Sequence, residues 1–167
     1  MNLENKFIRN MNIRERIITF SIEKAVPVLN VFRKKSNWNH PLSSIRKFPD
    51  QTLGKELALF LDERQMQLLP QYEVHDILHV VLNYDTSPSE EFLLQGFMIG
   101  NGSSSFGGKV LAYLGMMIIP ERIPAFRKAY KRGRHTKSIQ LFKFENCLEV
   151  KLSDLRFNLN LPEREAY

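Results

Sequence analysis

Apolar residues recur along this chain at helical spacing and nowhere in sustained strand alternation. Ile13, Ile17, Phe20, Ala25, Val28, Leu29 and Phe32 form a stripe that predicts an amphipathic helix over 11–32, with Pro27 as a kink or break. Residues 33–50 are basic, polar and punctuated by proline, which predicts a loop. Pro49-Asp50 introduces a helix over 52–66, carried by Leu53, Leu57, Phe60 and Leu61. Pro70 suits the first position of the next helix, which ends near Leu82. Residues 83–89 are a turn cluster, after which Ser89 is placed to cap a helix opening with Glu90 and Glu91. Over 92–119 the only charge is Lys109, and the Gly/Ser-rich centre at 101–108 is costly in a regular helix. This predicts two apolar helices joined by a loop. A further helix is expected from Pro120 to Arg132 with a break near Gly133, and a final one over 137–156 on Leu141, Phe144, Leu148, Leu152 and Leu155. Residues 157–167 carry no pattern and read as a loosely held tail. The expectation is an all-α single domain over 1–167, a bundle of six to seven helices.

Length and composition agree with that reading: 167 residues make one domain, and 43% hydrophobic content fills a core. Cys147 is the only cysteine, so no internal disulfide forms and a reducing compartment is expected. Among Phe144, Leu148 and Val150 it reads as a small core residue rather than a nucleophile. The first 24 residues mix Lys and Arg with Glu4, Glu15 and Glu23, unlike a secretory signal or a transit peptide. No run reaches the ~20 apolar residues that span a bilayer.

Charge is concentrated. Residues 121–137 hold seven Lys and Arg against Glu121 alone, which accounts for the whole net charge of +6. Lys128, Lys131, Arg132 and Arg134 within this stretch form a candidate patch for anionic lipid heads. A solvated helix face is the plain alternative. No aromatic stacking set accompanies the basic residues and no nucleic-acid fold signature is seen, so no nucleic-acid partner is expected. The apolar segment before the patch reads either as a core hairpin or as a wall for an isoprenoid tail lined by Phe97, Met98, Leu111, Tyr113, Met116 and Met117. Apolar segment and basic stretch together predict a cytoplasmic protein peripheral to the inner face of the membrane.

The chemistry centres on His75-Asp76-Ile77-Leu78-His79, followed after eleven residues by Glu91. Histidines at i and i+4 lie one above the other on a helix face, where both imidazoles can meet one divalent ion. Asp76 is close enough around the helix to reach the same ion, and Glu91 joins if the chain turns back. Such N/O ligands suit zinc first, with Fe, Mn or Mg as alternatives. Glu90 and Glu73 are the candidates for proton transfer. A structural ion clamping two helices is the alternative to a catalytic one.

The HDxxH spacing with its Glu eleven residues on resembles the coenzyme Q (ubiquinone) biosynthesis protein Coq-four family. Tyr72-Glu73-Val74-His75-Asp76, Thr52-Leu53-Gly54-Lys55 with Phe60-Leu61-Asp62, and Ala129-Tyr130-Lys131-Arg132-Gly133-Arg134 extend the likeness over about 50–155. The resemblance implies a helical, membrane-associated metal protein with ligands His75, Asp76, His79 and Glu91. It implies a role in oxidative decarboxylation at ring carbon 1 of a polyprenylated benzoquinone precursor, a lyase-type step. The partners it implies are an isoprenoid or quinone-like lipid, other quinone-biosynthesis proteins and a second copy in a homodimer. The chain departs from the family at Asn83-Tyr84-Asp85, where a Gly-Leu-Pro turn is usual, and at Glu90, where Gly is usual. These departures mark a divergent, bacterial-type branch. Two other functions remain open: a non-catalytic lipid-binding or scaffold protein with a structural metal, and an HD-type phosphohydrolase that would recruit His40 and Asp154.

Overall fold

The computed structural model describes residues 38–165, Leu69 excepted, and the single position Ile13. The helix expected over 11–32 therefore lies outside the described residues. Seven α-helices follow in chain order: α1 Leu42–Ile45, α2 Leu53–Glu63, α3 Glu73–Leu82, α4 Pro88–Gly100, α5 Phe106–Ile118, α6 Ile123–His135 and α7 Leu152–Asn158. No strand is formed among the described residues; one isolated bridge joins Thr52 to Lys151.

α2 begins where Thr52 accepts a hydrogen bond from the Lys55 amide. Its first free amides are satisfied from across the molecule, Leu53 by the Val150 carbonyl and Gly54 by the Leu148 carbonyl, both at 2.8–2.9 Å. Its apolar face, Leu53, Leu57, Ala58 and Leu61, is buried and packs on α3. α3 is the central helix, buried at Glu73 and continuously from Asp76 to Leu82. It starts at Glu73 rather than at Pro70, because Gln71 takes a positive φ of 73° and breaks the path from the proline. It stops at Asn83, which adopts the left-handed conformation that ends helices.

Ser87, not Ser89, caps α4, with Pro88 at the first position; Ser89 instead accepts from Arg122 Nη2 at 3.1 Å. α4 lies between α5 and α6. Gly107 and Gly108 fall inside α5, so the predicted loop is shorter, ending at Ser105, which caps the helix. Gly133 does not break α6: the helix runs on to His135, and at Gly133 a side-chain carbon would collide with the Phe97 carbonyl of α4. That glycine serves close helix contact instead of a turn.

The predicted helix over 137–156 is replaced by two 3₁₀ turns, Ile139–Leu141 and Phe144–Asn146, and by α7. Phe144, Leu148 and Leu155 are buried from this irregular path, whereas Leu141 is 83% exposed. The segment after α7 is tied down: Leu159 is fully buried, the Pro162 carbonyl accepts from Arg132, and Arg164 pairs with Glu90. These contacts fall within the segment expected to be a loose tail. Cys147 is half-buried at the edge of the core, and burial raises its thiol pKa, which fits an unreactive thiol.

Candidate metal centre

α3 and α4 meet at the site through the turn at 83–87. α3 supplies His75 and His79 one turn apart, and α4 brings Glu91 back over them from its own first turn. Three atoms converge. His79 Nε2 lies 2.9 Å from Glu91 Oε1 and 3.1 Å from His75 Nε2, and His75 Nε2 lies 3.3 Å from the same carboxylate oxygen. Ligands ~2.0–2.1 Å from a tetrahedral ion sit ~3.3 Å from one another, so the donor set fits a metal.

The backbone prepares the set. His79 Nδ1 is 3.2 Å from the Tyr84 carbonyl, which can only accept, so Nδ1 carries the proton and Nε2 offers its lone pair to the cluster. Phe60 of α2 stacks against the same ring at a centroid distance of 5.9 Å. The imidazole is thus held on both sides and is only 1% exposed, whereas His75 is about a third open, so the centre is approached from the His75 side.

Burial disfavours a charged Glu91, yet hydrogen bonds and attraction from His75 and His79 overcome it and hold the carboxyl at about 2. The same carboxylate outweighs the burial of His79 and raises its pKa. Asp76 lies beside the cluster but outside the set of converging atoms. Burial pushes its carboxyl up to about 6 against the pull of His75 and His79.

The proton-transfer candidates separate. Glu90 is committed: Oε1 pairs with Arg164 at 2.7 Å and Oε2 accepts from the Asp85 amide at 3.4 Å. Glu73 is buried, and its Oε2 has no hydrogen-bond partner among the described residues. It lines a groove of about 1030 Å³ with Trp38, Leu42, Met66 and Leu68. His40 lines that groove too, and Asp154 is exposed beside Ser153, so neither joins the converging set as the phosphohydrolase reading requires.

The residues proposed as a lipid wall do not share one surface. Phe97 is in the core against Tyr84, and Met98, Leu111 and Met116 are half-buried. Tyr113 and Met117 stand outside, 64% and 66% exposed. Within the basic patch, Lys128, Lys131 and Arg134 are exposed, with Lys128 3.1 Å from Glu165. Arg132 is buried and turned inward, donating to the Leu82 and Pro162 carbonyls, so it is removed from any lipid-facing patch. Sequence reasoning missed that inward role; α6 placing Arg132 beside buried Ala129 and Gly133 is the only local signal.

No family model matches the chain. It is 25% identical to the ubiquinone biosynthesis protein COQ4 homolog, mitochondrial, of Danio rerio, a match covering 73% of this chain. The chain spans about half the length of that relative, 54%. A crystal structure from Nostoc punctiforme, of a proposed ubiquinone biosynthesis protein, shares the fold with a TM-score of 0.62 and 24% identity, over 91% of this chain and 83% of that one. The chain is thus similar in sequence to a ubiquinone biosynthesis protein and shares its fold with the Nostoc punctiforme protein, and the His75, His79 and Glu91 spacing read from the sequence closes in space.

Proposed function

We propose that this chain is a divalent-metal protein of ubiquinone biosynthesis, acting on a polyprenylated benzoquinone precursor. The observation that carries the reading is the convergence of His75 Nε2, His79 Nε2 and Glu91 Oε1 within 2.9–3.3 Å of one another. The quinone part comes from the relatives' names, the metal part from this geometry.

Two imidazoles and one carboxylate suit zinc, and they equally suit Fe²⁺ with open positions for oxygen chemistry. A bound ion would supply Lewis acidity or, if iron, electron transfer. Oxidative decarboxylation releases the ring carboxyl as CO₂ and places oxygen on the same carbon, so it needs a two-electron oxidant. Zinc has no redox chemistry, which makes iron the better match for that step. His75, about a third exposed, marks the open side on which a ring carboxylate would be received. Asp76 completes the set if the ion draws its carboxylate in. Glu73 is the remaining group for a proton, because Glu90 is held by Arg164.

Membrane attachment belongs to the same proposal. No helix among the described residues is long and apolar enough to cross a membrane. α5 nevertheless presents Phe106, Val110, Tyr113 and Met117 outward, all exposed and spaced along one helical stripe. That stripe suits shallow insertion into the headgroup region.

The test is metal analysis of protein purified without chelator, followed by incubation of the Fe²⁺- and Zn²⁺-loaded forms with a prenylated hydroxybenzoate and an oxidant. CO₂ release and a hydroxylated ring from one loaded form are expected. A protein that takes up neither ion would sink the metal reading. One that binds metal yet leaves the ring untouched would leave the scaffold role in its place.

A further inference from the structure

The last carbonyls of α3 are covered by arginines from three separate parts of the chain. Arg156 of α7 donates from Nε to Val81 and from Nη2 to Val80, both at 2.9 Å. Arg132 of α6 donates from Nη1 to Leu82 at 2.7 Å, and Arg164 donates from Nη1 to Asn83 at 2.6 Å. A helix C-terminus has carbonyls without intrahelical donors and a negative dipole end, so guanidinium groups satisfy both needs there.

Arg164 does more than cap. Its Nη2 reaches 2.7 Å to Glu90 Oε1 on α4, and its guanidinium lies 4.6 Å from the centre of the Tyr84 ring. One side chain therefore touches the end of α3, the start of α4 and the residue between them. The segment carrying it is fixed in turn, because Arg132 Nε donates to the Pro162 carbonyl at 2.8 Å. The joint so enclosed is the one that sets the metal centre. Tyr84 offers the carbonyl that orients His79, and Glu90 is the neighbour of Glu91.

We infer that Arg164 is a positioning residue for the metal centre, and that segment 162–164 is a clasp holding His79 and Glu91 at ligand spacing. This rests on the reading of His75, His79 and Glu91 as metal ligands. The clasp gives Glu90 its role as anchor. Both side chains are largely shielded, 20% and 14% exposed, so the ion pair is little screened. The two acceptors lie in different directions, which the rigid fork of arginine serves and a lysine ammonium does not.

The test uses the full chain and Co²⁺ as a spectroscopic probe. Arg164→Ala and Glu90→Gln should each weaken Co²⁺ binding about tenfold, in the range seen when an outer partner of a metal ligand is removed. The double variant should lose little more than either single one, because both remove the same contact. Arg164→Lys should recover only part, and Lys47→Ala should change nothing. In the metal-free protein, hydrogen exchange should accelerate over residues 83–91 in Arg164→Ala and stay unchanged elsewhere. Unaltered Co²⁺ affinity with unaltered exchange overturns the clasp. So does exchange that accelerates across the whole chain, which would make Arg164 a general stabiliser. A wild type that binds no Co²⁺ overturns the metal reading instead, and the exchange measurement then decides the clasp by itself.

Discussion

Glu91 and His79 hold each other's charge, and this sets the first tests at the scale of single residues. His79→Ala and Glu91→Gln each remove one converging atom, so elemental analysis should find at most about a tenth of the wild-type metal in either. Glu90→Gln should still fill completely when the ion is in excess, because Glu90 faces Arg164 and not the cluster. The opposite result would show that the altered turn at 83–85 had moved the register by one residue. Asp76 gives a pH test in the metal-free protein. Its folded pKa, raised by burial to about 6, exceeds the unfolded value of 3.8. The native state therefore binds the proton more tightly, and stability falls as pH rises from about 4 to 6 and stays lower above. The cost above pH 6 is on the order of 2–3 kcal/mol. Asp76→Asn should stabilise the metal-free protein at pH 8 by up to about that amount, with little change at pH 4. Urea unfolding at both values checks it; an equal effect at pH 4 and pH 8 would show that the carboxyl does not titrate in this range.

At the scale of elements, the contact of α4 with α6 fixes where the helix carrying Glu91 sits. Gly133 lets the α6 backbone reach the Phe97 carbonyl, and Gly96 lets the Phe126 ring lie against α4. Gly133→Ala would ordinarily favour a helix by about 1 kcal/mol. Here the added methyl must push two backbones apart, so a net loss of roughly 1–3 kcal/mol is expected in denaturant titration. A stabilised variant would mean the helices separate without cost. Phe97 and Tyr84 pack edge-on beneath this contact, so the displacement should also be felt at the turn that orients His79.

At the scale of the molecule, attachment to a surface depends on features that one helix cannot supply. α5 contributes exposed Phe106, Tyr113 and Met117, and α6 contributes exposed Arg127, Lys131 and Arg134. Co-sedimentation with vesicles should require anionic lipid and fall as salt rises, since the screening length shortens to ~3 Å at 1 M. Replacing Arg127, Lys131 and Arg134 with Gln should weaken binding without altering the unfolding midpoint. Arg132→Gln should lower that midpoint, because it takes donors from the buried Leu82 carbonyl and from the Pro162 carbonyl. If wild type ignores anionic vesicles at low salt, the basic residues are a solvated face.

The sequence by itself determined the helical class, the stacking of His75 and His79 on one helix face and their meeting with Glu91. These are properties of period: one turn brings i and i+4 together, and a Pro/Ser turn cluster of the right length sends the chain back. The helix over 52–66 and the Gly/Ser loop at 101–108 were legible for the same local reason, although that helix spans Leu53–Glu63 and the loop ends at Ser105. Tertiary structure decided what period does not encode. Gly133 reads locally as a helix end, but a backbone crossing gives it a place inside α6. Leu141, Phe144 and Leu148 keep an apolar spacing without a helix, because the carbonyls of 148 and 150 are drawn off to start α2. Arg132 reads as surface charge among other bases, and Arg164 as part of a patternless tail. Both are claimed by the C-terminus of a helix 50 and 81 residues away. A hydrogen bond over that separation leaves no periodic trace, since its donor and acceptor are neighbours only after the chain has folded.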